Sequence, residues 1–330
     1  MTDLPVREVK QTEWDRWDDW LALQPWGSPF SSAWWLDANC RAFGGHPLLL
    51  GVFDGDELAG GVSLRVTDAG PAHVVRSSMH YNPIVIAVGS AQGRQKVLGT
   101  LLEDLARRKL VVPPLACTTD MVDLRQAVWH HWNLTASWTV VTALRTWILE
   151  EDVSRAELKQ MRKSQRAEVT VCVEPLDAGV LYDLMQTTMS RQGQDMRLTR
   201  GQLRMLVEAT GTHGIQTVVR GADGIPLSAG LAMAHGTRTA FDIWAGTSAI
   251  GLAKGASVAR YICLIQELQA TGYEYFDWCG ANLPGVADFK LEFGGTLTTR
   301  FAISREPLWF KAAFPVHMRL SQLKAVLRRH

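Results

Sequence analysis

The same run of elements occurs twice along this chain, and that repeat limits what it can fold into. In the first copy, Leu48–Phe53, the Asp54-Gly55 turn and Leu58–Val66 read as a β-hairpin, because alternating apolar residues flank a turn-forming dipeptide. A strand at Val74–Met79 follows. Then come a helix at Ser90–Lys109 with Val97, Leu98, Leu101, Leu102 and Leu105 inward, a strand at Leu110–Cys117, a helix at Met121–Trp132 and a strand at Thr139–Leu149. In the second copy, Gln216–Val219, Asp223-Gly224 and Leu227–Ala234 repeat the hairpin. Arg238–Ala245, Ala253–Ala270, Tyr273–Trp278, Val286–Phe293 and Leu297–Ser304 repeat the rest as strand, helix, strand, helix, strand. The two turns lie about 170 residues apart and the strands after the long helices about 160 apart, a near-constant offset. Each copy is antiparallel at its hairpin and parallel across its helix crossover. The expected fold class is therefore α/β (α+β mixed), in two tandem units at 1–150 and 151–330.

Composition agrees with a globular chain of two ordinary domains: 330 residues, 47% apolar and 20% charged. No apolar run is long enough to span a membrane, and the start, MTDLPVREVK, is too polar for a secretory signal. Cys40, Cys117, Cys172, Cys263 and Cys279 are odd in number and lack zinc or redox spacing, so a reduced, cytoplasmic setting is expected. The formal net charge of +1 argues against a dedicated DNA binder. Its distribution is uneven, −3 over the first 150 residues and +4 over the rest, which permits an anionic ligand in the second copy.

Before the first hairpin, Glu13–Leu23 reads as an acidic amphipathic helix, and Ser31 or Ser32 caps a second helix that Gly44-Gly45 ends. Between the copies lies Leu158–Arg166, a helix with Lys159, Arg162, Lys163 and Arg166 on one face. That face is either solvated or a contact for the phosphates of an RNA or nucleotide. Residues 308–329 read as a last helix, rich in Lys and Arg. Several chemistries are excluded: there is no Gly-x-Ser-x-Gly elbow, no Walker lysine loop, no Gly-x-Gly-x-x-Gly and no metal-ligand spacing among the nine histidines.

One stretch stands apart. Phe276-Asp277-Trp278-Cys279-Gly280 ends a strand, Pro284-Gly285 breaks the chain, and Phe289-Lys290-Leu291-Glu292-Phe293-Gly294-Gly295 closes a short helix with a glycine stop. Lys290 is either a solvated helix lysine or a site cation. Phe-Asp-x-x-Gly followed by Gly-x-x-x-Phe-Lys-x-x-Phe-Gly-Gly resembles the C-terminal signature of the FemABX-like aminoacyltransferases and their acetyltransferase relatives, which are tandem GNAT proteins. The match is strong over residues 270–300 and in order, though weaker, elsewhere.

The resemblance implies transfer of an activated acyl group to the amine of a small-molecule or peptide acceptor, with aminoacyl-tRNA as co-substrate and no tightly bound cofactor. It implies that Lys290 sits at the transfer site, where a cation stabilises the developing oxyanion, with Phe289 shaping the pocket. Asp277 binds or deprotonates the incoming ammonium, or else caps the turn after it. Trp278 lies in the same stretch. Arg191, after the helix Val180–Met189, stands where the family contacts the acceptor's phosphate. Tyr81 and Asn82, in the loop after the third strand, and Tyr261 are further substrate contacts or core residues. There are departures from the family. Gly251-Leu252-Ala253-Lys254-Gly255 lacks the full acyl-CoA loop pattern, although Lys254 would suit a phosphate there. Ser31-Ser32-Ala33-Trp34 is followed by Asn39 and Arg41 where bridge-forming members place a lysine, which puts a peptidoglycan nucleotide in doubt as the acceptor. The alternatives are acyl-CoA-dependent N-acyl transfer and a non-catalytic module for a small anionic ligand.

Overall fold

The structure, a computed structural model, describes residues 4–24, 27–69, 72–76, 84–87, 89–236 and 238–306. In chain order the elements are β1 (Val6–Glu8), α1 (Trp14–Ala22), α2 (Ala33–Phe43), β2 (His46–Asp54), β3 (Glu57–Ala69), β4 (Ala72–Arg76), β5 (Ile84–Ile86), α3 (Ala91–Arg107), β6 (Val112–Ala116), α4 (Arg125–Trp129) and β7 (Asn133–Ala143). There follow α5 (Leu149–Asp152), α6 (Arg155–Arg166), β8 (Thr170–Glu174), α7 (Ala178–Arg191), α8 (Arg200–Thr210), β9 (Gly214–Arg220), β10 (Pro226–Ala234), β11 (Thr239–Thr247), α9 (Ala249–Ala253), α10 (Ala256–Ala270), β12 (Tyr275–Asp277), α11 (Pro284–Leu291) and β13 (Thr296–Arg305). The fold class is mixed α/β.

Local chemistry sets many of these boundaries. Ser32 caps α2 by accepting from Trp35 N–H, Ser90 caps α3 through Gly93 N–H, and Thr199 with Gln202 forms a reciprocal capping box on α8. Three expected elements are corrected. The helix at Met121–Trp132 shrinks to α4, because Asp123 accepts from Arg125 N–H and turns the chain first. The strand at Thr139–Leu149 starts at Asn133 and stops at Ala143. The helix at Ala253–Ala270 is broken at Gly255, whose φ of 71° lies in the left-handed region that glycine tolerates. Strand β8 was not anticipated. Tyr81, Asn82 and the helix expected at 308–329 lie outside the described residues.

The strands form two sheets. One runs β1-β2-β3-β4, with β5 also paired to β3; the other runs β6-β13-β7-β12-β11-β10-β9-β8. The second sheet crosses residue 150 three times along its strand order. β7, from the first copy, lies between β12 and β13, and β13, from the second, lies between β6 and β7. The β7–β13 ladder is long, from Thr296↔Val141 to Ser304↔Asn133. Each copy thus lends a late strand to the other, and the halves are tied by backbone hydrogen bonds.

Two layers cover the large sheet. Leu181, Leu184, Leu203 and Leu206 of α7 and α8 pack with Phe30, Trp35, Phe241 and Trp244 on one face. Ile262, Ile265 and Leu268 of α10 pack with Phe276, Trp278 and Phe293 on the other. Strands β11 and β12 are parallel for only three pairs, ending at Phe241↔Asp277, while β11 continues to Thr247. Past Asp277 the two strands part, and the opening is where the sequence-singled turn and helix α11 sit.

Candidate active site

Lys290 projects from the last turn of α11 back beneath the turn that precedes it. It is 9% exposed. Its ammonium donates to the carbonyl oxygens of Trp278 at 2.5 Å and Gly280 at 2.7 Å. An ammonium has three N–H donors, so two go to the main chain and one is left for another partner. The turn it pins is strained: Cys279 has a φ of 55°, unusual for a residue with a Cβ.

Asp277 is 2% exposed. Its Oδ1 accepts from Thr139 Oγ1 at 2.6 Å and from Cys279 N–H at 2.8 Å, and Thr139 Oγ1 in turn accepts from Gly280 N–H at 2.9 Å. The carboxylate caps the turn, with a hydroxyl lent by β7 across the exchanged strand. Trp278 is enclosed, its Nε1 donating to Thr142 Oγ1 at 3.0 Å. Phe289 lies edge-on to Tyr261 and Phe293 with centroids 5.7 and 5.2 Å away.

Beneath α10 the site continues into charges that the sequence reading missed. Tyr261 donates its hydroxyl to Asp242 Oδ2 at 2.9 Å. Among the described residues, Asp242 Oδ1 has no hydrogen-bond partner, nor have Nε and Nη2 of Arg260, which is 1% exposed. The Arg260 guanidinium lies 3.8 Å from the Tyr261 ring centroid, a cation–π contact. It fits only because residue 230 is glycine: a Cβ there would stand 2.1 Å from Arg260 Nη1. Burial pushes the Asp242 carboxyl up from the ordinary range, opposed by the positive charges of Arg260 and Lys290. Burial, then Asp242, also pushes the Tyr261 phenol up, which keeps it a donor. The Cys279 thiol is pushed well up by burial, then by Asp277 and Asp242, so it is a poor nucleophile. Asp242 and Arg260 had a sequence signal. Each is a lone charge in an apolar run, Ala240–Ala245 and Ala256–Ile265, and buried charges need a paired setting.

The remaining expected residues are dispersed. Lys159, Arg162, Lys163 and Arg166 are all exposed on α6, whose Leu158 and Met161 pack inward. Helix α6 begins beside α11: Ser154 N–H donates to Glu292 O, and Val153 bridges Phe293. Lys254 is half-buried at the end of α9. The glycines next to it face inward; Gly255 lies against Gln160 O of α6, where a Cβ would be 2.3 Å from that oxygen, and Ala256 is fully buried. Arg191 donates from Nη1 to Thr247 O at 2.8 Å, holding the end of β11.

No protein-family model and no curated protein matches the sequence. Solved structures do. The crystal structure of FemX superimposes with a TM-score of 0.71 over 90% of this chain and 97% of its own, at 13% identity. The chain has the FemABX-like tandem GNAT fold. The FemX-like arrangement extends to L-PGS from Bacillus licheniformis, at a TM-score of 0.55, 14% identity and 87% and 94% coverage. It extends also to a tandem GNAT protein from the clavulanic acid biosynthesis pathway, at 0.51, 12% identity and 91% and 98% coverage. Among the described residues of this FemX-like chain, no helix is long and apolar enough to cross a membrane.

Proposed function

We propose that this protein is an acyltransferase that forms an amide bond, taking an aminoacyl group from aminoacyl-tRNA and giving it to the amine of a small-molecule or peptide acceptor. The observation that carries the reading is the Lys290 ammonium, fixed by two main-chain carbonyls at the parting of β11 and β12 with one N–H uncommitted among the described residues. The acceptor nitrogen adds to the donor's ester carbonyl, a C–N bond forms, and the ester C–O bond breaks. The nitrogen's proton leaves with the ribose oxygen. The third N–H of Lys290 faces the negative charge that builds on the carbonyl oxygen, a contribution typically worth a hundredfold or more in rate. The donor is already activated, so positioning and charge stabilisation suffice. Cys279 takes no covalent role, since its thiol stays protonated.

The tRNA donor is supported by the four exposed cations of α6, on a helix that starts beside α11. Exposed Trp138 and Leu283 flank the turn and give the substrate an apolar approach. The acyl-CoA alternative at Gly251–Gly255 has less support, because Gly255 is closed off by Gln160 O of α6 and Ala256 is buried with Val219 and Leu227, rather than open to an incoming pyrophosphate. The test is transfer of label from aminoacyl-tRNA into a product made from the small-molecule fraction of a cell extract. We expect RNase pretreatment and Lys290→Met each to abolish it. Labelled product from acetyl-CoA, with none from aminoacyl-tRNA, would overturn the donor assignment.

A further inference from the structure

The first copy also runs strand–helix–strand as β5–α3–β6, but here the two strands belong to different sheets, β5 pairing with β3 and β6 with β13. A cleft of about 80 Å³ lies there, bounded by β5, the start of α3 and the Thr118–Asp123 segment after β6. Ligand pockets that enclose a drug-sized molecule span roughly 300–1,000 Å³, so this one takes a small molecule.

Its polar lining carries groups of both signs. The acceptors are Gln95, Asp120 and Asp123, whose carboxylate is already paired with Arg125. Gln95 donates its amide nitrogen to Asp123 O at 2.9 Å, and among the described residues its buried Oε1 has no partner. Asp120 offers a carboxyl steadied by the Thr118 hydroxyl, and burial raises its affinity for a proton. The positive groups come from α3 as well. Arg94 lines the cleft, and α3, 17 residues long and capped by Ser90, begins at its wall with Ala91. Ile84, Ile86 and Met121 supply an apolar floor.

We infer that this cleft binds a small free α-amino acid, its ammonium on Asp120 and Gln95 Oε1 and its carboxylate on Arg94 and the start of α3. Two charge-assisted contacts of opposite sign within one cleft match the head group, and the volume limits the side chain. The inference stands apart from the acyl-transfer reading, because it concerns binding alone.

The experiment is amide NMR on the full chain titrated with L-alanine, L-alaninamide and propionate. We expect L-alanine to shift the signals of 84–86, 91–95 and 118–123. The amide, lacking the carboxylate, and propionate, lacking the ammonium, should each bind about tenfold more weakly or worse. Asp120→Asn should weaken L-alanine binding by about tenfold or more, and should leave propionate unchanged. Arg94→Gln, at an exposed position, should weaken L-alanine but not L-alaninamide. If Asp120→Asn does not fold, Gln95→Leu replaces it, with the same loss expected. No shifts at tens of millimolar L-alanine, equal binding of all three probes, or undiminished binding by the variants would each overturn the inference.

Discussion

Replacing Lys290 by methionine keeps an unbranched stem out to Cε but removes Nζ, and with it both hydrogen bonds to the turn. The carbonyls of Trp278 and Gly280 then lose a charged donor at 2.5 and 2.7 Å. A buried acceptor left without a donor costs about 1–3 kcal/mol. The two together, less the desolvation cost no longer borne by the ammonium, predict a loss of about 2–4 kcal/mol. The turn has little reserve, since Cys279 is held at a φ of 55° and depends on Asp277, Thr139 and Lys290 together. The assay is urea unfolding followed by tryptophan fluorescence, wild type against Lys290→Met. Trp278, enclosed beside the altered turn, contributes to the signal. A loss below about 1 kcal/mol would refute the reasoning, because it would mean that water replaces the ammonium at both carbonyls.

Other expected outcomes follow from particular contacts. Gly230→Ala would place a Cβ 2.1 Å from Arg260 Nη1, so the buried guanidinium must move off Tyr261; we predict a loss of about 2–4 kcal/mol in denaturant unfolding, and no measurable loss would contradict the placement of Arg260. Asp18, half-buried where it accepts from Ala33 and Trp34 N–H, has its carboxyl raised from 3.8 to about 6 by burial. The folded state therefore holds this proton more tightly than the unfolded state, and stability falls as pH rises from about 4 to about 6. Partial exposure reduces the effect to about 1–2 kcal/mol. Asp18→Asn should lose that part of the pH dependence, which unfolding curves at pH values on either side of the window would show.

Sequence determined the elements whose causes are local. The Asp54-Gly55 and Asp223-Gly224 turns, the serine caps on α2 and α3, and the strand–turn–helix carrying Lys290 are each set by residues a few positions apart, where backbone preference and a short hydrogen bond suffice. The repeat of those elements gave the fold class. Tertiary structure alone decided which strands sit side by side. The exchange of β7 and β13 depends on pairing across more than a hundred residues, and no local pattern specifies a distant partner. The same holds for the site. Asp277 was visible in the chain, but Thr139, which completes its cap, comes from the exchanged strand. Asp242 and Arg260 acquire their setting only where β10, β11 and α10 meet, at a glycine small enough to admit a guanidinium. Local sequence chooses a residue's conformation, whereas the burial and neighbours that give it chemistry come from chain segments far away along the backbone.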